Sequence, residues 1–470
     1  MSSLAKNFGF SIATFISQII SGSVIYIVLA RLLSINDFGL LSFGATLGGL
    51  ITVIAEFGFS LMAQRDIPQN RFNFESYVYN TVIQKIGFSI VAALGGLIYI
   101  FLFYSGQNVT IGIIFVVNAI ITSGNMYFFA VFRAKNMFKI ESLLALFYSI
   151  IIVIIVTIYF IFKQDVVFIA YGLLLVRILQ FILLTFIFIS KFTLNYKLDR
   201  KIQSYLFKNS FSFGAHYIIG VFYFSIDNQM IAYFSGNEQL AIYQAFFKIV
   251  LILLMVNNLL EGIFLPFLSS RFKNGINEFT NLAQLINKVI VSLGLTLFVF
   301  FILFASDIVK LFYSDKYIAA LVITIPLAFV LFTRILSTVY SVILTISDNQ
   351  NLRVLTVLIS LIVNVILNFI FIPKYGFVAA GYVSMITHFV LAGLYVYFGY
   401  KQLNSFLLQK KFVGFILISI FSASIFSYLN LHFNFILSVL LLLGWFIVLL
   451  LFYNKKELLS IKQLLIEEAF

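Results

Sequence analysis

The 470-residue sequence contains no cysteine, which excludes disulfides, thiolate metal sites and a cysteine nucleophile. Charge is scarce as well. Only 10% of the residues are charged, against about 25% in soluble domains, while 62% are hydrophobic and the mean hydropathy is strongly positive. A sizeable soluble domain is excluded, and the composition reads as an all-α integral membrane protein. In a soluble chain the net charge of +13 would suggest nucleic acid. In a membrane chain an excess of Lys and Arg in the loops on one side accounts for it, and no nucleic-acid partner is expected. Lipidation motifs are absent, and so is a small-residue cleavage site after the first apolar run, which is therefore read as a retained helix. No G-x-x-x-x-G-K loop is present, which argues against an ATP-driven pump within this chain. No carboxylate pair or nucleophile–base set stands out, so the protein is not expected to be an enzyme or to hold a cofactor.

What is present is a succession of apolar runs long enough to cross about 30 Å of hydrocarbon. They fall at residues 10–33, 38–63, 77–104, 110–132, 143–162 and 166–190. The next lie at 211–234, 240–268, 283–305, 318–346, 355–372 and 377–400, and two more at 412–429 and 435–453. About fourteen transmembrane helices put both termini on one side. That side collects most basic loop residues, among them Lys6, Arg65, Arg71, Arg133, Lys135, Lys197, Arg200, Lys201, Arg353, Lys410 and Lys455. The opposite side receives only Arg31, Lys163, Lys310, Lys316 and Lys374. Such asymmetry places both termini in the cytoplasm.

The two halves of the chain repeat faintly. One constant shift lays Ala30 on Ala232, Gly39 on Ala241, and Ser34-Ile35-Asn36-Asp37 on Gly236-Asn237-Glu238-Gln239. The expected organisation is an N-terminal six-helix half over 1–190, a cytoplasmic connecting loop over 191–208 and a C-terminal six-helix half over 209–400. Residues 401–470 would add two accessory helices and a cytoplasmic tail. Six helices repeated in the same orientation form a parallel repeat, and substrate sites in such transporters lie between the halves.

Polar stripes run along several of these helices. Ser212, His216, Gly220, Tyr223 and Asp227 follow one another in three- and four-residue steps and share one face. The next run carries Tyr243, Gln244 and Lys248, then Asn257, Asn258 and Glu261. Lys85, Arg177 and Arg334 are equally deep, and a charge at the middle of a membrane helix costs about 2.5–3.5 kcal/mol. A wet interior cavity offsets that cost. Lys85, Arg177, Lys248 and Arg334, with Arg31 at the outer edge, are its candidate cations; Gln18, Gln84, Asn118, Tyr223, Gln244, Asn258 and Asn364 are its candidate polar lining. Each has a plainer reading. Hydroxyl and amide side chains also bond between packed helices, Arg177 has Gln180 one turn on as a structural partner, and the Gly44/Gly48 pair fits close helix packing. Glu56, Asp227 and Glu261 either pair with a cation or bind H⁺ or Na⁺ for coupling. His216 is either part of a proton relay or a packing donor.

Arg31-Leu32-Leu33, Asp37-Phe38-Gly39 and Glu56-Phe57-Gly58 resemble the opening of the polysaccharide (O-antigen, Wzx-type) flippases of the multidrug/oligosaccharidyl-lipid/polysaccharide exporter superfamily. Asp227, the Gly236 turn, Tyr243, Lys248, and Pro266 with Ser269 resemble that family's second half. Asn364, Asn368, Pro373-Lys374-Tyr375-Gly376 and Ala379-Ala380-Gly381 are similar to its late motif, so the resemblance runs from the first helix to about residue 400. It implies a bacterial inner-membrane flippase for a polyprenyl-pyrophosphate-linked glycan, working by alternating access beside glycan polymerase or chain-length machinery. The cations would then meet the pyrophosphate, with Arg gripping its oxygens in a fork. A small-molecule or multidrug exporter of the same superfamily and a membrane-embedded glycan polymerase are the alternatives. Cationic deep residues argue against the first, and short outer loops against the second.

Overall fold

The computed structural model describes residues 9–10, 13–18, 20–162, 165–193, 197–272 and 276–407, with a few residues between 440 and 451. The described residues are helical almost throughout and contain no strand. That follows from the solvent: in hydrocarbon every backbone N–H and C=O needs an internal partner, and a helix supplies one from within its own segment. Nine helices among the described residues are long and apolar enough to cross a membrane. The runs at 412–429 and most of 435–453 lie outside the described residues.

The chain divides into two compact units, residues 1–244 and 245–470. In the first, a π-helical turn at Ile20–Val24 leads into α1 (Ile25–Leu32). It is followed by α2 (Ile35–Glu56), α3 (Phe59–Asp66), α4 (Phe74–Phe103), α5 (Gln107–Ala134), α6 (Phe138–Phe162), α7 (Val166–Lys191) and α8 (Arg200–Ser235). The first turns of α9 (Asn237–Phe272) complete it. Side-chain oxygens cap three of its helix starts, whereas Asp165, before α7, makes no such bond. Ser34 Oγ accepts the Asp37 N–H at 3.1 Å, Asn73 Oδ1 accepts the Ser76 N–H at 3.2 Å, and Asp199 Oδ1 accepts the Lys201 N–H at 2.8 Å. The Asp199 cap starts α8 early, so residues 200–208, expected as loop, are its first turns.

Helix α2 is the buried axis of this unit. Of its apolar stretch 78% is buried, against 17% for α4, whose apolar residues face outward. It packs on α4, α5 and α8, while α7 packs on α5 and α6. Gly44 and Gly48 allow the approach to α5: a Cβ on Gly44 would run into the Phe115 ring, and one on Gly48 would lie 3.2 Å from the Phe115 carbonyl oxygen. The run at 38–63, expected as one uninterrupted span, is broken. Phe57 and Gly58 adopt φ values of 40° and 80°, and a Cβ on Gly58 would lie 2.7 Å from Phe213 Cβ on α8. A glycine there meets both the left-handed backbone and the close crossing.

The second unit contains the rest of α9, then α10 (Ile276–Leu303), α11 (Ala305–Tyr313), a 3₁₀ segment (Asp315–Ile323), α12 (Thr324–Leu336), α13 (Thr338–Ile346) and α14 (Gln350–Leu403). Helix α14 is interrupted at Gly376, where φ is 59° and ψ is −144°. Its two arms are each about 40 Å long at 1.5 Å per residue, so each is able to cross the hydrocarbon alone. They correspond to the separate spans expected at 355–372 and 377–400. Within this unit α12 packs on α10 and α14, and the Leu407 N–H donates to the Tyr340 hydroxyl at 3.0 Å.

Candidate functional site

Midway along α7, Arg177 faces two adjoining recesses of 420 and 380 Å³ within the first unit. Both are lined by Ser21, Gly22, Thr122, Tyr148 and Arg177. The larger one adds Tyr26, Thr52, Asn118 and Tyr217; the smaller adds Gln18, Asn125, Arg133, Glu141 and Gln180. Six helices (α1, α2, α5, α6, α7 and α8) and the chain before α1 thus bring hydroxyls, amides, tyrosines and a guanidinium to one space.

The guanidinium is held in a defined way. Its carbon sits 3.8 Å from the Tyr148 ring centroid, a cation–π contact. Arg177 Nη1 donates to Gln180 Oε1 at 3.1 Å. The same oxygen accepts from Asn125 Nδ2 at 3.2 Å, and Gln180 Nε2 donates to the Leu144 carbonyl at 3.1 Å. Thr122 donates to Asn118 Oδ1 at 3.2 Å. At the far wall Arg133 Nε pairs with Glu141 Oε2 at 3.2 Å. No carboxylate lies within ion-pair distance of Arg177 among the described residues.

The other candidates are placed as follows. Lys85 on α4 is buried and pairs with Glu56 at the end of α2. It also donates to Ser123 Oγ at 2.5 Å, and Glu56 Oε1 accepts the Ser60 N–H at 2.7 Å, capping α3 across the break. These two charges therefore serve each other. Gln84 donates to the Gln203 carbonyl at 2.6 Å, tying α4 to α8. Asp227 and Tyr223 are buried on α8; the Tyr243 hydroxyl donates to Asp227 Oδ2 at 3.4 Å, and Gln244 donates to Asn228. Arg31 is exposed on the last turn of α1. Lys248, Arg334 and Asn364 belong to the second unit, the first two half-buried and the last buried, where it accepts from Asn368 Nδ2 at 3.0 Å. The side chains of His216, Asn258 and Glu261 lie outside the described residues. The recess thus unites Arg177, Asn118 and Gln18.

Three features escaped the sequence reading. Tyr148 and Glu141 are seven residues apart and so on one face of α6; the first was hidden in the apolar run at 143–162 and the second lies just before it. Buried Asp66 ends α3 and accepts from Arg65 Nε at 2.7 Å, from the Tyr77 hydroxyl at 3.1 Å and from the Tyr205 hydroxyl at 3.1 Å. The Arg65 hydrogen bond to Asp66 raises the guanidinium pKa above its ordinary value. Toward the other end of α8, Gln229 Nε2 donates to Thr46 Oγ1 at 2.8 Å. Asn108 and Asn237 exchange amide hydrogen bonds at 3.1 and 2.9 Å, and Gly39 lies directly against the Asn237 carbonyl. Helix α8 is thereby tied at both ends to the α2–α5 group.

The fold is that of the transporters of the multidrug/oligosaccharidyl-lipid/polysaccharide (MOP) superfamily, in a multi-pass membrane protein. A structure of the lipid II flippase MurJ in an inward closed conformation matches with a TM-score of 0.78 at 16% identity, covering 96% of this chain and 99% of that one. An inward-facing multidrug resistance MATE family transporter of the MOP superfamily matches with a TM-score of 0.68 at 15% identity, over 82% of this chain and 94% of that one. An outward-facing MATE family transporter gives 0.56 at 15% identity, over 86% and 94%. Among curated proteins no sequence matches this chain. Residues 4–272 match the family described as polysaccharide biosynthesis protein, and the chain belongs to that family.

Proposed function

We infer that the protein is a flippase carrying a polyprenyl-pyrophosphate-linked oligosaccharide, an O-antigen or other polysaccharide repeat unit, from the cytoplasmic to the outer leaflet of the bacterial inner membrane. The observation that carries this reading is Arg177: a guanidinium in a polar recess of a membrane-embedded unit, with no carboxylate in ion-pair reach among the described residues. Such a group replaces part of the hydration that an anionic head loses inside the membrane, and its planar fork suits phosphate oxygens. The hydroxyls and amides around it suit sugars, while the polyprenyl tail remains in the bilayer. Membership of the polysaccharide biosynthesis family supports a glycan cargo, and a fold shared with a lipid II flippase supports a lipid-linked one.

The cycle is alternating access, with the lysine- and arginine-rich side and both termini in the cytoplasm. Buried Asp227, within reach of the Tyr243 hydroxyl, is the candidate for H⁺ or Na⁺ coupling. Glycan polymerase and chain-length proteins are the expected neighbours. The test is transfer of a lipid-linked oligosaccharide across proteoliposomes by wild type, Arg177→Ala and Lys248→Ala. Transfer by wild type that falls in Arg177→Ala, with folding retained, is the expected result. Export of an organic cation without glycan transfer would establish the multidrug alternative, and glycan elongation in the same vesicles the polymerase.

A further inference from the structure

We propose that Gln180 is a positioning residue that holds the Arg177 guanidinium in place without cancelling its charge, keeping that charge for an anionic group of the substrate. The inference rests on the reading of the recess as the substrate site.

Gln180 is only 1% exposed, and both ends of its amide are used. Its oxygen accepts from Arg177 Nη1 and Asn125 Nδ2, and its nitrogen donates to the Leu144 carbonyl. Turning the amide over would set its NH₂ against two donors and its oxygen against a carbonyl, so the network admits one orientation. Below the guanidinium lies the Tyr148 ring face. An amide oxygen and a ring face both attract a cation, yet neither carries a charge.

The contrast lies in the same unit. Lys85 meets Glu56, Arg65 meets Asp66 and Arg133 meets Glu141. Each of those cations is neutralised by a carboxylate. Arg177 is fixed as firmly, by a side chain that differs from glutamate by a single group. A carboxylate at position 180 would occupy the same volume and close an ion pair. The recess would still exist, without its free positive charge. An amide at this position therefore separates a structural arginine from a binding one.

The test measures binding of farnesyl pyrophosphate, with farnesol as the chargeless control, to the full-length protein in nanodiscs. Wild type is compared with Arg177→Ala, Gln180→Glu and Gln180→Met. Wild type is expected to prefer the pyrophosphate, and Arg177→Ala to lose roughly 10- to 100-fold, the worth of a charge-assisted hydrogen bond. Gln180→Glu is expected to lose as much as Arg177→Ala; because its second oxygen also gives up the bond to the Leu144 carbonyl, far-ultraviolet circular dichroism checks that it is folded. Gln180→Met, which keeps the volume and frees the guanidinium, is expected to lose roughly 3- to 10-fold, the worth of a neutral hydrogen bond. Wild-type affinity in folded Gln180→Glu overturns the proposal. Should Gln180→Glu not fold, wild-type affinity in Gln180→Met overturns it alone. If Arg177→Ala binds as wild type does, the reading of the recess falls and the proposal with it; if only the Gln180 variants do, the recess stands and Gln180 is a packing residue.

Discussion

Replacing Glu56 by glutamine will destabilise the protein more than replacing its partner Lys85 by methionine. The Lys85 and Glu56 side chains are only 7% and 2% exposed, so neither charge has water to fall back on. In Glu56→Gln the amide oxygen still accepts from the Ser60 N–H, and the α3 start stays capped. The Lys85 ammonium, however, is left buried with only neutral acceptors, the Ser123 hydroxyl and the Ala55 carbonyl. Removing one member of a buried pair costs about 3–5 kcal/mol. Lys85→Met leaves a carboxylate that keeps two donors, the Ser60 N–H and the Ser123 hydroxyl, so its cost is expected to be about half as large. The double variant leaves no buried charge, and its stability is expected within about 1–2 kcal/mol of wild type. Unfolding in mixed SDS–detergent micelles, followed by far-ultraviolet circular dichroism, closes this double-mutant cycle. Glu56→Gln within about 0.5 kcal/mol of wild type, or a double variant as unstable as the sum of the two, would refute the buried pair.

Three further outcomes are expected. Tyr148→Leu removes the ring beneath Arg177 and weakens prenyl pyrophosphate binding by about 0.5–2 kcal/mol, whereas Tyr148→Phe keeps the ring face and the affinity, as titration in nanodiscs would show. Tyr205→Phe deletes a hydroxyl bonded to Asp66, Arg65 and Arg71, lowering stability in the same unfolding assay by about 1–3 kcal/mol. Asn237→Ala breaks the reciprocal amide pair with Asn108. Because the chain has no native cysteine, a single cysteine at Ala45 reports on that end of α8; its labelling by an impermeant maleimide is expected to rise roughly 3- to 10-fold.

Much of the architecture was legible because hydrocarbon imposes it. The runs at 77–104, 110–132 and 166–190 lie within a few residues of α4, α5 and α7, since span length and apolarity are local properties. The breaks were harder. Glu56-Phe57-Gly58 is apolar enough to read through; what stops the helix is the crossing of Gly58 with Phe213, which no local pattern announces. Residues 200–208 look polar enough for a loop, yet the Asp199 cap and the contacts of Asn80 and Gln84 with Gln203 make them helical. At the site, the Gln180 partner of Arg177 was legible from their one-turn spacing, whereas Tyr148, Asn125 and the Leu144 carbonyl come from other helices and were not. Lys85 shows the limit. Its spacing on α4 resembles that of a cavity cation, and only the packing of α2 against α4 brings Glu56 to it.

The pairing of Glu56 with Lys85 also constrains how the chain is made. The two residues are 29 positions apart, so at about 5–20 residues per second the ribosome supplies the lysine roughly 1.5–6 seconds after the acid. For that interval a lone carboxylate on α2 would cost about 2.5–3.5 kcal/mol in lipid. Helix α2, the most buried of the first unit, is therefore the one least able to leave the insertion machinery alone. It must wait there, or tilt Glu56 toward water, until α4 arrives and the two pass into the bilayer as one neutral body.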